Sequence, residues 1–371
     1  MSLGMRNEET RLRRIFARAL WLVAATPAAL PLGCSAPAVG GEIVEGGDGG
    51  LEIETPGVAL AAEPSTLEAK SCAPVKYTPS PPDACGNYVR LPCGLPAGVV
   101  PGTHCFLWLN DCQKVCPGVY FNCHAVGQSC VDGGVVKDSS GGVDIDCSVC
   151  SKGVGRVPAG LAPTRPGRAT SALGAHFAVV AHLEAASVHA FRRLGVELAT
   201  HGAPAGLLRA AQRAQRDEVR HARLTGRMAR RFGGAPARPR VERLPARPLD
   251  EVAIENAVEG CVRETFGALV TSYQAAHATD PEIARLMGAI AEDETRHAAL
   301  SWAVAEWAAP RLDAAARARL AARCGEAIAA LRREAGGRVP CELVTAAGMP
   351  GAEQQRALVG ALEEQLWSVL A

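Results

Sequence analysis

The sequence predicts an all-α fold: a four-helix bundle with two further helices behind it, preceded by a small, loop-rich module held by disulfides. Three observations point there. From about residue 171 apolar residues recur at helical spacing, in a stretch rich in Ala, Leu, Arg and Glu. Four long helical segments in that stretch make two hairpins joined by a longer connection, which is a bundle topology. Ten of the 14 cysteines crowd between Cys72 and Cys150, a density that reads as a disulfide framework from an oxidising compartment.

The 371 residues are enough for two or three domains, and the net charge of +1 offers no global field for a nucleic acid. In chain order, residues 1–34 read as an export signal. "RLRRIFARALWLVAATPAALPLGC" has a basic start, an apolar run too short to span a bilayer comfortably, and a small-residue end. "LPLGC" resembles the end of a bacterial lipoprotein signal, with Cys34 as the lipidated residue. Pro31 departs from that pattern, and ordinary cleavage is the alternative. "RRIF" at 13–16 resembles a twin-arginine signal. Export places the protein in the cell envelope, outside the cytoplasm, with membrane contact only through a lipid on Cys34. Residues 35–71, rich in Gly, Pro, Ala and Glu, read as a flexible tether. Residues 72–150 form the cysteine-rich module, full of turn signals such as "SPPD" and "SSGG". "CQKVC" and "CSVC" have spacings that suit zinc, but ten cysteines behind an export signal favour five disulfides. Residues 151–170 are a basic linker.

The bundle domain covers 171–371. The periodicity predicts helices over 172–200, to about 232, over 249–277 and to about 309, then two more over 311–335 and 351–370. Asp280 and Pro281 read as the N-cap and first residue of the fourth. His182, His189 and His201 read as exposed, His277 as a C-terminal cap, Cys261 as a small core residue, and Cys324 with Cys341 as a disulfide candidate.

The chemistry lies in a repeated motif. "RDEVRHARL" at 216–224 returns 76 residues later as "EDETRHAAL" at 292–300. A Glu and a His three residues apart share one helix face. Glu218 falls on the apolar stripe of Leu207, Ala211, Ala214 and Thr225, and Glu294 falls among Met287, Ile290 and Val304. An unpaired carboxylate on a buried face is costly. A metal removes that cost, because carboxylate oxygen and imidazole suit iron or manganese. Glu184 is centred on the apolar face of the first helix. It lies 16 residues before Thr200, and Glu218 lies 14 after Pro204, so the two meet at similar depth in their hairpin. In the second hairpin Glu264 lies 13 before His277, and Glu294 lies 13 after Pro281. The third helix also offers Glu255 and Glu259. Glu264 is preferred for its small-residue flanks, with Glu259 as its rival, because Val262, Phe266 and Val270 lie nearer the face of Glu259.

At these residues the chain resembles the ferritin-like carboxylate-bridged diiron proteins. Their pattern is a Glu followed, about thirty residues on, by Asp-Glu-x-Arg-His, twice over. Here Glu184 precedes "DEVRH" and Glu264 precedes "DETRH". The resemblance covers roughly residues 172–309. It implies a ferritin-like bundle holding two iron ions, with manganese as the alternative. Glu184 and Glu264 would be terminal ligands, Glu218 and Glu294 bridges, and His221 and His297 would complete the set. Asp217 and Asp293 would orient the opposite histidines, buttressed by Arg220 and Arg296. It implies no catalytic residue beyond the metal ligands. The activity it implies is that of an oxidoreductase that uses O2 on a small organic molecule, with an electron donor; neither substrate nor donor is named by the sequence. A ferroxidase or peroxide-detoxifying protein of the ferritin or rubrerythrin kind is one alternative. A non-enzymatic envelope protein built on the same scaffold is another.

Overall fold

The computed structural model describes residues 3–25, 156–162, 169–335 and 339–369, and within 73–148 the strands and turns named here. Helix α1 (Leu3–Ala25) comes first. In the cysteine-rich module, strands β1 (Val75–Tyr77), β2 (Tyr88–Leu91), β3 (Phe106–Leu107), β4 (Asn122–Ala125) and β7 (Val143–Ser148) form an antiparallel sheet in the order β1-β2-β7-β4-β3. β5 (Cys130–Val131) and β6 (Gly134–Val135) make a separate two-stranded ribbon. Val89 and Leu91 on β2 and Val143 and Ile145 on β7 are among the buried apolar residues of the five-stranded sheet, and a disulfide joins Cys116 to Cys147.

The helical part begins with α2 (Ala172–Thr200), capped by the Ser171 hydroxyl, which accepts from the Gly174 amide. Gly202, at φ +70°, turns the chain into α3 (Ala205–Arg231). A long crossover leads to α4. It starts α-helical at Leu249–Glu255, widens to a π-helix at Asn256–Glu264, and returns to α at Thr265–His277. The Asp280 carboxylate then caps α5 (Pro281–Ala308) by accepting from the amides of Glu282 and Ile283. Three more helices follow: α6 (Ala314–Glu334), the short α7 (Cys341–Thr345) and α8 (Ala352–Gln365).

α2 to α5 are the four-helix bundle of the sequence prediction, and α6 and α8 are its two added helices. α6 starts three residues later than predicted because Ala309–Arg311 forms a 3-10 turn and Asp313 supplies the cap. α7 and the π-helical turn are not foreseen. The disulfide suggested between Cys324 and Cys341 does not form: Cys324 is a buried free thiol, while Cys341 is disulfide-bonded elsewhere.

Residues 3–25, within the segment that reads as an export signal, form a helix with a sealed inner face. Leu12, Ile15, Phe16, Ala19 and Val23 join the larger apolar core, and Met5 joins the smaller one. The Arg13 guanidinium clamps both carboxylate oxygens of Glu292 on α5, at 3.1 and 2.6 Å. Cys34 and the 35–71 tether lie outside the described residues. No described helix is long and apolar enough to cross a membrane.

The two apolar cores set up the site. On α2, Phe177 belongs to the larger and Phe191 to the smaller; on α3, Met228 and Ala214 divide the same way. Glu184, Glu218 and His221 fall between these pairs in the chain. The bundle therefore carries its acidic and imidazole groups at mid-depth, with hydrocarbon on either side.

Candidate metal centre

Each of the four bundle helices contributes a carboxylate to one buried place. Glu184, Glu218, His221, Glu264, Glu294 and His297 are all at most 2% exposed. Donor atoms of Glu184, Glu218, His221 and Glu294 lie within 4.8 Å of one another, and so do those of Glu218, Glu264, Glu294 and His297. The two sets share Glu218 and Glu294. With Glu218 and Glu294 common to both, the two sets could hold two ions side by side, each set having one further Glu and one His of its own.

The histidines are held in matching ways. His221 turns Nε2 to Oδ2 of Asp293, at 3.0 Å, and Nδ1 to Glu294 (3.1 Å), Glu184 (3.6 Å) and Glu218 (3.9 Å). His297 turns Nε2 to Oδ2 of Asp217, at 3.5 Å, and Nδ1 to Glu218 (3.1 Å), Glu294 (3.6 Å) and Glu264 (3.8 Å). Each motif's Asp thus faces the other motif's His, with an aligned hydrogen bond at His221 and a looser ion-pair contact at His297, and Nδ1 of both rings is aimed into the cluster. Arg220 and Arg296 both contact Asp293, and they lie 3.5 and 3.8 Å from Asp217. Their guanidinium groups offset the two aspartate charges at the edge of the site.

The interior is short of partners. Both oxygens of Glu184, Glu218 and Glu294, Oε1 of Glu264, and Nδ1 of both histidines are buried without an aligned hydrogen bond. Such atoms are rare in folded proteins and expensive. Four carboxylates carry four negative charges, which two divalent cations would cancel. Oxygen and imidazole donors suit iron or manganese. The residues therefore fit a metal pair on charge, donor type and unmet coordination.

Protons take up part of the charge without metal. Burial, with repulsion from Glu184 and Glu294, pushes the Glu218 carboxyl well above its ordinary range. Burial raises Glu264 to about 7, against the opposing pull of His297 and Arg156. Burial alone would depress His221, but the Glu184 and Glu294 carboxylates outweigh it and raise the imidazole to about 9. His297 moves the same way, as Glu294, Asp217 and Glu218 overcome its desolvation. Glu294 resists burial and falls to about 2 because both imidazoles face it.

The π-helical turn explains the ambiguity in α4. Glu259 and Glu264 lie about 140° apart on a regular α-helix, so a uniform phase cannot serve both the apolar side chains and Glu264. The wider turn, in which Thr265 donates its amide to the Gly260 carbonyl five residues back, absorbs the mismatch. Glu264 enters the second donor set. Glu259 does not: it is half-buried, and its carboxylate accepts from the Val157 amide at 3.3 Å. Glu255 pairs with Arg247 instead.

Several contributors carry no local signal in the sequence. The Ser301 hydroxyl donates to Glu264 at 3.1 Å. Arg156, from the 151–170 linker, is 1% exposed and donates to Asn256, which in turn donates to the Ser301 carbonyl. Only the small side chain at Gly260 lets Ser301 approach: a Cβ there would lie 2.4 Å from the Ser301 hydroxyl oxygen. Of the other histidines, His189 is exposed, as read, and His277 ends α4 with its Nδ1 2.8 Å from the Tyr273 carbonyl. His182 and His201, read as exposed, are instead half-buried, facing the carbonyls of Ala237 and Arg247.

Fold and site together define a class: a four-helix bundle whose buried carboxylate and histidine cluster could hold a dinuclear metal. Compared with protein-family models, with curated proteins and with solved structures, the chain matches none.

Proposed function

We propose that the chain is a dinuclear iron protein of the ferritin-like kind that uses O2 to oxidise a small molecule. The observation that supports this reading is the pair of four-donor sets sharing Glu218 and Glu294. In this assignment Glu184, Glu218, Glu264 and Glu294 would hold the two ions, with Glu218 and Glu294 common to both, and His221 and His297 would complete the set. A bound iron pair would supply the electrons and the Lewis acidity for O2 chemistry.

The chain's own residues supply the rest. Asp293 holds the His221 imidazole by a hydrogen bond and Asp217 faces that of His297, so both rings turn Nδ1 inward, where these nitrogens stay free as donors. Ser301 fixes the Glu264 carboxylate by donating to Oε2 and leaves Oε1 free. Phe191, whose ring lies 5.0 Å from that of His297, keeps bulk water from that side. The oxidised cysteines of the small module support a location outside the cytoplasm.

The test is O2 uptake by the reduced, iron-loaded protein. Uptake that recurs only when an organic substrate and a reductant are both supplied supports the oxidase reading. Uptake that tracks added Fe(II) alone replaces it with iron processing, and a protein that takes up no iron ends both.

A further inference from the structure

Helix α1 carries a second stripe that the bundle leaves unused. Arg11, Arg14, Arg18 and Trp21 are spaced three or four residues apart and Leu22 lies four after Arg18, so the five fall on one side of the helix. Ile15 borders that side, while the buried residues Leu12, Phe16 and Ala19 turn further round toward the core. Arg14 and Arg18 are exposed, and among the described residues no carboxylate pairs with either. Arg11 is half-buried: it reaches Glu8 at 3.4 Å and its guanidinium lies over the Trp302 ring at 6.0 Å, so it ties the stripe to the bundle while Arg14 and Arg18 remain available. The three arginines line a cleft of about 550 Å³ closed by Ile15 and by Gln365, whose Oε1 is buried without a partner. At the C-terminal end of the stripe, Trp21 is 69% and Leu22 47% exposed, two of the few large apolar side chains left in water.

Cationic groups followed along one helix by an indole and a leucine match the layers of an anionic bilayer surface. Guanidinium groups meet lipid phosphates, while Trp and Leu enter the boundary with the acyl chains. Arg11 to Leu22 covers about 16 Å of helix, enough to cross from one layer to the other. A nucleic acid would use the arginines but leave Trp21 and Leu22 in water. The inner face of α1 fixes this stripe to the folded chain, with Arg13 clamped on Glu292. We propose that α1 stays in the mature protein and docks it to an anionic lipid surface through Arg11, Arg14, Arg18, Trp21 and Leu22. This attachment requires neither a lipid on Cys34 nor a membrane-crossing helix, and it is independent of the metal centre.

The test uses the full chain with vesicles of phosphatidylcholine alone, or mixed with phosphatidylglycerol. The protein should sediment with the mixed vesicles and not with the neutral ones. Arg14→Gln combined with Arg18→Gln should weaken binding about 30-fold, with thermal midpoint and metal content unchanged, since both side chains are exposed. Brominated lipid should quench a part of the tryptophan emission that is missing in Trp21→Phe. Equal binding to neutral vesicles, unchanged binding by the double variant, or no quenching of Trp21 would overturn the proposal. So would displacement of the protein from vesicles by duplex DNA, or an intact mass showing that the mature chain begins beyond Ala25.

Discussion

Glu218 and Glu294 are the residues on which the site turns, because each belongs to both donor sets. Glu218→Ala should abolish binding of both metals, whereas Glu264→Ala should leave one, and Glu259→Ala should leave two. Elemental analysis of the three purified variants separates these outcomes, and two metals in Glu218→Ala would contradict the shared role. Protonation gives a second prediction. In the metal-free fold Glu264 stands at about 7 against an ordinary 4.5, and His221 at about 9 against 6.5. The folded chain then binds more protons than the unfolded chain across that span, so metal-free stability should fall as pH rises from about 4.5 to 9. The metal ligands must be deprotonated, so metal affinity should rise over the same span. Urea midpoints of the metal-free protein on either side of neutral pH check the sign, and a midpoint that climbs with pH would refute it. The clustering of these carboxylates was legible because the motif repeats on apolar stripes, where a lone charge is costly. Ser301 and Arg156 were not, since their contacts with Glu264 and Asn256 join segments 37 and 100 residues apart.

At the scale of elements, the turn between α2 and α3 at Gly202 and the start of α5 at Asp280 and Pro281 followed from residues that the sequence displays; the Asp313 cap went unread, and α6 was expected three residues early for that reason. The π-helical turn was not legible, because periodicity arguments assume one phase per helix, and the competing claims of Glu259 and Glu264 were its only trace. That turn also brings α4 close to α5 at Gly260. Gly260→Ala would set a methyl 2.4 Å from the Ser301 hydroxyl oxygen and 2.5 Å from its Cβ. We expect it to cost about 1–3 kcal/mol and to loosen the metal set that includes Glu264, visible as a lower thermal midpoint and a weaker second metal. A variant with the stability and two metals of the parent would show that this close packing is not needed. Helix α1 was read through its basic and apolar composition. Its period of buried residues, Met5, Leu12, Phe16, Ala19 and Val23, carried the other message.

Over the whole molecule, the bundle is tied by ion pairs away from its centre and carries at its centre buried carboxylate and imidazole groups that could hold cations. Glu197 on α2 is 1% exposed and is gripped by Arg247 of the crossover at 2.8 Å and by Arg193 at 3.2 Å. Despite its burial, these guanidinium groups hold its carboxyl below the ordinary range, so this part of stability should vanish as acid titrates Glu197. Glu197→Gln leaves two buried arginine contacts weakened and should lower the thermal midpoint, without changing metal stoichiometry. The fold class was legible because amphipathic period and turn chemistry agree along the helical half. The order of strands in the small module was not, because neither spacing nor composition says which of ten cysteines join. What holds the centre together is open to direct measurement: metal-free protein titrated with Fe(II) under anaerobic conditions, or with Co(II) as an optical probe. The account predicts that binding saturates at two equivalents per chain and raises the thermal midpoint. Saturation at one equivalent, or no binding at all, would contradict it.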